Sequence, residues 1–379
     1  MPLYLGFDVR SDNLTAIVID IGIRRQVVFH RSVVIASPLM WEEALDRVMS
    51  ELAMSAELDF DDLRAISGAA AAEEQHVAMP GVALLALHPS RPLAPQLRAI
   101  ATADELQSMH ASPRAFFTEL LASSYWQKRY SLPRVRIVPW ETTHASAAIG
   151  SGIIRPGLLL VSLGPVDTAA DVNGALEFHN GALAREWIQR EYHLDANALA
   201  SLLEQRPGND GYIMLPWLEP EITPAVEYAG VRRFGFDGLD AGRNVRGLIE
   251  GQMMAMANHA GPLAAGRLGE GGPIDRIIVT GAESANRALL QVMSNVFGVD
   301  VYRLDVEHPA ALGAALRAYQ ADRLDSIEPV SWKTVVSVFT EPNPGHRVSP
   351  NPKHVAMYAE LRREYAILER LHQQRRPIC

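Results

Sequence analysis

Short apolar runs separated by turn residues open the chain. "YLGFDV" at 4–9, "LTAIVID" at 14–20 and "RQVVFHRSVVI" at 25–35 are rich in β-branched residues, and the turn "RSDN" separates the first two. This pattern is typical of consecutive antiparallel strands. "MWEEALDRVMSELAMSA" then has apolar residues at helical spacing, and "LRAISGA" predicts a return strand.

A second pass of the same pattern begins at residue 157. "GLLLVSL", "TAADV" and "ALEFH" predict three strands, and the helix "GALAREWIQREY" follows. Helix, strand, helix, strand and helix are then predicted over "VRGLIEGQMMAMANHA", "DRIIVT", "SANRALLQVMSNVF", "VDVYRL" and "PAALGAALRAYQA". "HVAMYAELRREYAILERLHQQ" predicts a final amphipathic helix. The pattern indicates either two similar α/β units, each opening with a hairpin, or two unrelated α/β domains.

Composition narrows the class of protein. A chain of 379 residues exceeds the size of one ordinary core, and 48% hydrophobic with 21% charged residues is typical of a globular protein. The net charge of −9 and the scattered basic residues argue against nucleic acid or a membrane as partner. Cys379 is the single cysteine, which excludes an internal disulfide. Charged residues close to the N-terminus argue against a signal peptide, and no apolar run is long enough to span a membrane. These two features predict a cytoplasmic protein.

An ordered series of motifs resembles one family. "YLGFDVRSDNLTAIVID", "VSLGPVDT", "NGALAREWI", "VRGLIEGQMMA", "VTGAESANRALLQVMSNVFGVDVYRLD" and "ALGAALRAYQA" resemble the FGGY family of carbohydrate kinases, in particular its eukaryotic-type xylulokinases. The resemblance implies an α/β fold of two actin-like ATPase (ribonuclease H-like) domains flanking a cleft, with the first domain truncated. It also implies ATP and Mg²⁺ as cofactors. The predicted domains are 1–150 on the sugar side, 151–325 on the nucleotide side, and a C-terminal extension over 326–379.

The resemblance assigns phosphate contacts to two hairpins. In the first, Asp8 would orient a Mg²⁺-bound water and Ser11 would keep a hydroxyl donor, while Arg10 adds bulk where a phosphate should approach. The alternative is that Asp8 is a strand-end carboxylate of the turn. In the second, "SLGPVDT" stands where the family has "SLGTSDT", so Gly164 and Thr168 remain but two hydroxyls and one N–H donor are lost.

The adenine loop and the sugar site also depart from the family. "TGAESAN" resembles "TGGASHN" and would place Gly281, Ser284 and Asn286 at the nucleotide, with an added negative charge at Glu283. The preferred alternative is a plain helix start with Ser284 as N-cap. Gln75 and His76 would contact the sugar, although an ordinary loop histidine is the preferred alternative. Much of the family's sugar-site wall is expected to be deleted.

The stretch "VPWETTHASAAIGSG" at 138–152 aligns with the family's "GDN" junction. The catalytic Asp of the family then falls on Thr143, whose hydroxyl is no general base near neutral pH. His144 and Glu141 are the neighbouring groups that could replace it. The alternative is a strand-to-helix turn that happens to be polar.

We therefore expect a xylulokinase-like relative in which ATP-dependent phosphorylation of a ketose such as xylulose is impaired or lost. One competing hypothesis is an active kinase with a relocated base, and another is a non-catalytic sugar- or nucleotide-binding regulatory pseudokinase. A metal hydrolase is the weakest, because His110, His144 and His179 lack a spacing such as H-E-x-x-H. The resemblance implies a small sugar as ligand, and a protein partner is left open.

Overall fold

The computed structural model describes residues 2–10, 12–22, 25–36, 41–55, 58–70, 120–121, 128–132, 135–138, 140–172, 174–264, 272–324 and 330–374. The chain forms two compact units, each made of two segments. Unit 1 combines Met1–Ile154 with Val306–Glu341, and unit 2 combines Arg155–Asp305 with Pro342–Cys379.

In chain order, the described residues form strands and helices with these bounds: β1 (Leu3–Val9), β2 (Asn13–Asp20), β3 (Gln26–Val34), α1 (Trp41–Ala53), β4 (Leu63–Ala70), β5 (Leu120–Leu121), β6 (Arg136–Ile137), β7 (Glu141–Thr142), α2 (Thr143–Gly150), β8 (Leu158–Ser162), β9 (Asp167–Asp171), β10 (Gly174–Phe178), α3 (Asn180–Glu191), α4 (Ala196–Leu203), β11 (Ile213–Trp217), β12 (Gly230–Phe234), α5 (Ala241–Ala264), β13 (Arg276–Thr280), α6 (Arg287–Phe297), β14 (Asp300–Arg303), α7 (Pro309–Leu324), α8 (Trp332–Thr340), β15 (Arg347–Val348) and α9 (Pro352–Gln373).

The sheet of unit 1 has the strand order β3-β2-β1-β4-β6-β5, and β7 also pairs with β4. The first three strands are antiparallel, as their sequences predict, and β4 returns parallel to β1. β1 is buried along its whole length, which explains its nearly continuous apolar run. β3 alternates between exposed and half-buried positions, as expected for a strand at the edge of a sheet.

The sheet of unit 2 repeats this arrangement with the order β10-β9-β8-β13-β14-β15. β8, β9 and β10 are antiparallel neighbours, and β13 lies parallel to both β8 and β14. A separate hairpin pairs β11 with β12. The predicted internal repeat is therefore present: in each unit the first strand lies between its hairpin partner and a parallel return strand.

Small residues allow α7 to lie close to other elements of unit 1. A Cβ on Gly6 would lie 2.1 Å from the carbonyl oxygen of Ala311, and one on Gly313 would lie 1.8 Å from that of Ser146. α7 therefore packs directly against β1 and α2. This packing assigns 306–341 to the same compact unit as 1–154, which differs from the contiguous boundaries at 150 and 325 that the sequence suggested.

The core of unit 2 surrounds α5, whose buried residues include Leu248, Ile249 and Met253. α9 contributes Tyr358 and Tyr365 to the same core, so the predicted amphipathic helix packs on unit 2. Among the described helices, none has both the length and the apolar character needed to cross a bilayer.

Candidate functional site

The end of β1 and the start of α2 lie next to each other in unit 1. Asp8 is buried, and its Cα lies opposite Thr15 of β2 and Ala69 of β4. The Thr143 hydroxyl donates to Asp8 Oδ1 at 3.4 Å, and Arg10 Nε donates to Asp8 Oδ2 at 3.0 Å. The structure thus brings together the two positions that the resemblance assigns to Mg²⁺ and to the catalytic base. Ser11 lies outside the described residues.

Thr143 is positioned by a strand that leads directly into a helix. β7 pairs in parallel with the end of β4, which places Glu141 opposite Ala69. Thr142 is the N-cap of α2, and its hydroxyl accepts a 3.2 Å hydrogen bond from Ala145 N. This bond satisfies one of the N–H groups that a helix leaves unpaired at its start. The predicted strand-to-helix turn is present, and Thr143 is the first helical residue.

Glu141 and His144 differ in their surroundings. Glu141 is 2% exposed, and its Oε1 accepts a 2.8 Å hydrogen bond from Thr142 N. Burial lowers the pKa of Arg317 on α7, and the charge of Glu141 opposes that shift. Glu141 therefore balances a buried cation. His144 is exposed, and it lies about 100° around the helix from Thr143 because an α-helix has 3.6 residues per turn.

In unit 2, the hairpin between β8 and β9 is held by one buried ion pair. Asp167 Oδ1 accepts a 3.1 Å hydrogen bond from Gly164 N. Arg185 of α3 donates to both carboxylate oxygens of Asp167, at 2.7 and 2.8 Å. Both side chains are 2% exposed. Thr168 is half-buried in β9, and Pro165 and Val166 are exposed at the tip.

The loop after β13 joins this hairpin. Thr280 pairs with Ser162, and Leu163 N donates to Thr280 O at 2.9 Å. Gly281 has φ +95°, and a Cβ there would lie 2.1 Å from Leu163 O, so glycine is required for both conformation and space. The predicted phosphate hairpin and adenine loop therefore meet at the carboxyl ends of two parallel strands.

Glu283 adds a second carboxylate to Arg185. Its Oε2 lies 2.6 Å from Arg185 Nε, and its side chain is 33% exposed. Burial opposes the charge on Arg185, but Asp167 and Glu283 more than offset that effect, so the pKa of Arg185 is raised above its usual value. One guanidinium thus neutralises two carboxylates, and only Glu283 reaches solvent.

The helix start after β13 differs from its sequence prediction. A short 3₁₀ helix spans Ala282–Ala285, and α6 begins only at Arg287. Asn286 is the N-cap of α6, with its Oδ1 accepting a 3.1 Å hydrogen bond from Leu289 N. The prediction that Ser284 caps the helix is wrong. Both residue types favour the cap position, and the intervening 3₁₀ turn moved the cap by two residues.

Several predicted residues are not brought together by the structure. Gln75, His76 and His110 lie outside the described residues, as does most of the segment in which the sugar-site wall was expected to be missing. His144 and His179 belong to different compact units. His179 Nε2 lies 3.8 Å from Glu177 Oε2, which is an ordinary exposed pair on one hairpin.

A group in unit 1 was missed by sequence reasoning. The ring centroids of His30 and His308 lie 4.4 Å apart, and one ligand atom from each of His30, Glu307 and His308 lies within 4.8 Å of the other two. Burial lowers the pKa of His308, as do the charges of His30 and Arg10, while Glu307 raises it. These residues are separated by most of the chain, so no local spacing could have indicated the group.

Comparison with known families and proteins gives a consistent result. Residues 167–321 match the C-terminal domain of the FGGY family of carbohydrate kinases. A xylulose kinase of Rattus norvegicus is 31% identical over 276 residues, covering 65% of this chain and 50% of the relative. Xylulose kinase 2 of Arabidopsis thaliana is 28% identical over 278 residues, covering 62% of this chain and 49% of the relative. The chain spans about half the length of the curated relatives it matches.

Solved structures show the same fold. The structure of ligand-bound xylulose kinase from Lactobacillus acidophilus has a TM-score of 0.71 at 13% identity, covering 98% of both chains. The structure of Plasmodium falciparum glycerol kinase with ADP has a TM-score of 0.65 at 12% identity, covering 100% of this chain and 99% of that one. These likenesses confirm the predicted α/β fold class.

Proposed function

We propose that the chain is a xylulose-kinase-like relative of the FGGY family of carbohydrate kinases in which phosphorylation of a ketose is impaired or lost, and the matches to the family's C-terminal domain and to a xylulose kinase support this. The protein keeps the fold as a non-catalytic, ligand-binding regulatory protein. The observation that carries this proposal is the Thr143 hydroxyl directed at Asp8 Oδ1.

Position 143 matters because phosphoryl transfer to a sugar hydroxyl needs a group that accepts the hydroxyl proton. The resemblance places that group at residue 143, and a threonine hydroxyl does not accept a proton near neutral pH. Glu141 is buried next to a cation, and His144 lies on a different side of the helix. Moving the proton acceptor away from position 143 is expected to lower the rate strongly, because catalysis of this kind depends on precise positioning of the reacting groups.

The residues present do not fit the phosphates of ATP. A phosphate cradle needs free backbone N–H groups. Gly164 N already donates to Asp167, and Pro165 has no N–H. The partly exposed carboxylate of Glu283 adds a negative charge where the resemblance places the nucleotide. Asp8, the implied Mg²⁺ contact, is ion-paired with Arg10. These features support a weakened or lost nucleotide site.

The second candidate function is a kinase that uses His144 as its base. The exposure of His144 favours it, since imidazole is the side chain that most often serves as a general acid or base and an exposed ring is accessible to a substrate.

The test measures binding and turnover on the same preparation of the full chain. Thermal unfolding is recorded with Mg·ATP, Mg·ADP and D-xylulose, and ADP release is followed with and without xylulose. A ligand present at 100 times its Kd stabilises a protein by about 2.7 kcal/mol, which a melting curve detects easily. We expect no xylulose-dependent ADP release and no stabilisation by Mg·ATP. Stabilisation by xylulose alone identifies the sugar as the retained ligand.

Xylulose-dependent ADP release overturns the proposal. If that turnover disappears in His144→Ala and persists in His193→Asn, the second candidate is correct. His193 is the matched control because it is exposed and lies in unit 2, and asparagine tolerates its positive φ of 51°.

The role of Glu283 is tested by Glu283→Gln, which removes the charge and keeps the shape. A larger stabilisation by Mg·ADP in this variant than in the wild type supports exclusion of the nucleotide by this carboxylate. Equal stabilisation of both proteins would show that Glu283 does not affect nucleotide binding.

A further inference from the structure

We propose that His30, Glu307 and His308 of unit 1 form a binding site for one divalent transition-metal ion of the zinc class. This site is separate from the pair Asp8–Thr143 and does not depend on the proposed loss of kinase activity. Its basis is that two imidazoles and one carboxylate from distant parts of the sequence converge within the span of a single coordination sphere.

The distances suit one shared ion. One ligand atom from each residue lies within 4.8 Å of the other two. Zinc bonds to histidine nitrogen and carboxylate oxygen are about 2.0–2.2 Å long, so two ligands of one ion lie roughly 3–4 Å apart. Small rotations of the side chains would close the remaining gap. The side chains of His30 and Glu307 are exposed and His308 is half-buried, so an ion can enter from solvent.

The three side chains converge without bonding one another. Within the described part of the chain, no hydrogen bond or ion pair joins them, and the two rings lie at 36° to each other with centroids 4.4 Å apart. Two like-charged imidazolium rings at this distance would repel each other, whereas neutral imidazole is the form that binds metals. The lone pairs needed for coordination are therefore not used by neighbouring donors in the group.

The backbone on both sides of the group is held in place. His30 lies in β3, where it pairs with Ile17 of β2. His308 directly precedes α7, and its carbonyl oxygen accepts a 3.0 Å hydrogen bond from Leu312 N. α7 packs against the same sheet through Gly6. His30 is thus presented by a strand, while Glu307 and His308 lie immediately before α7, and the hydrogen bond of His308 to that helix reduces the entropy lost on binding.

The donor set selects the class of ion. Imidazole nitrogen favours Zn²⁺, Co²⁺, Ni²⁺ and Cu²⁺, while Mg²⁺ and Ca²⁺ prefer all-oxygen sites. Two histidines and one carboxylate leave a fourth position of a tetrahedral ion for water. The positive charge of Arg10 lowers the pKa of His308 and would also repel a bound cation. That repulsion is reduced because Arg10 is ion-paired with Asp8 at 3.0 Å. A bound ion would connect β3 to the start of α7.

The test uses the full chain, Zn²⁺ in competition with a chromophoric chelator, and Co²⁺ as a spectroscopic probe. The variants are His30→Ala and Glu307→Gln, both at exposed positions, together with His308→Ala. His193→Asn is the control because the chain has 12 histidines and any of them can bind zinc weakly. Circular dichroism verifies that each variant is folded, and Mg²⁺ serves as the control ion.

We expect one Zn²⁺ per chain, a higher melting temperature with Zn²⁺, and visible absorption bands from bound Co²⁺. Each of His30→Ala and Glu307→Gln should weaken Zn²⁺ binding by about 10-fold or more and remove the Co²⁺ bands, while His193→Asn and Mg²⁺ change nothing. Zn²⁺ affinity equal to wild type in both variants would overturn the proposal, as would equal competition by Mg²⁺. If His308→Ala does not fold, the two exposed variants still decide the question.

Discussion

The hydroxyl of Thr143, the first residue of α2, donates a 3.4 Å hydrogen bond to Asp8 Oδ1 at the end of β1. A long bond between a neutral donor and a carboxylate contributes modestly to stability. Its significance is chemical, because it shows that a side chain at position 143 faces the Asp8 carboxylate. An aspartate at that position would therefore place two negative charges side by side.

Thr143→Asp is predicted to destabilise unit 1 near neutral pH. Two carboxylates at about this separation repel each other by about 4 kcal/mol at an effective dielectric of roughly 20, and the Arg10 guanidinium paired with Asp8 reduces that cost. Repulsion raises the apparent pKa values of the pair in the folded state. The penalty is therefore full above those values and disappears as the pH falls through them.

Urea unfolding at pH 8, 6 and 4.5 measures this effect, with Thr143→Asn as the uncharged control of similar size. The deficit of the aspartate variant relative to the asparagine variant should shrink as the pH falls. A deficit that is the same at all three values would show that residue 143 does not face Asp8 in solution. Thr143→Asp should also give no xylulose-dependent ADP release. The variant keeps Pro165 and Glu283, the residues of unit 2 that are proposed to weaken the nucleotide site.

Arg185→Ala is predicted to be strongly destabilising to unit 2. The variant leaves Asp167 buried without its bidentate partner, and removing one member of a buried ion pair costs about 3–5 kcal/mol. Arg190→Ala on the same helix is the matched control, since Arg190 is exposed. Chemical denaturation should give a loss near zero for the control. Similar losses for both variants would contradict a special role for the Asp167 pair.

Much of the fold could be predicted from the pattern of apolar residues. The runs "YLGFDV" and "GLLLVSL" became central buried strands because each is flanked by a hairpin partner and a parallel return strand. The placement of "PAALGAALRAYQA" with residues 1–154 could not be predicted, because it depends on the close approach of Gly313 to Ser146 rather than on local pattern.

The site was predicted in part, because the resemblance aligned positions but not contacts. The structure places Thr143 next to the end of β1 and joins the loop at 281 to the hairpin at 164, two contacts that the alignment of motifs does not specify. The resemblance did not anticipate that Arg185 would bind Asp167 and Glu283 together, since three segments contribute to that network. The group of His30, Glu307 and His308 could not be predicted either, because its residues come from distant segments of the chain.

Gly281→Ala is predicted to be costly to stability, with Gly238→Ala as its contrasting control. Alanine at 281 meets Leu163 O and must adopt φ +95°, so we expect a loss of about 2 kcal/mol or more. Gly238 lies in an exposed segment before α5, has nothing within 4 Å of a Cβ and has no positive φ, so alanine there should stabilise by about 0.4–1 kcal/mol. Thermal unfolding of the two variants should therefore move in opposite directions, and a neutral Gly281→Ala would contradict the described packing.

Asp240 provides a pH-dependent contribution to the start of α5. Its carbonyl accepts from Asn244 N, and its Oδ1 accepts a 3.0 Å hydrogen bond from Arg243 N. That backbone hydrogen bond is the main reason why the pKa of Asp240 is lowered, with smaller contributions from the charges of Arg206 and Arg243. A carboxylate with a lowered pKa stabilises the fold above its unfolded value and loses that effect as the pH falls through the folded value.

Asp240→Ala should cost about 0.5–2 kcal/mol at pH 7, because the cap is lost, and Asp240→Asn should cost less, because asparagine also caps helices. The difference between wild type and Asp240→Asn isolates the charge. It should be present in full at pH 7, begin to fall below the ordinary aspartate value of 3.8, and disappear as the pH falls through the lower pKa that Asp240 has in the folded protein. Urea unfolding across this range measures it. A difference that persists unchanged at pH 2.5 would show that the charge of Asp240 does not act on the start of α5.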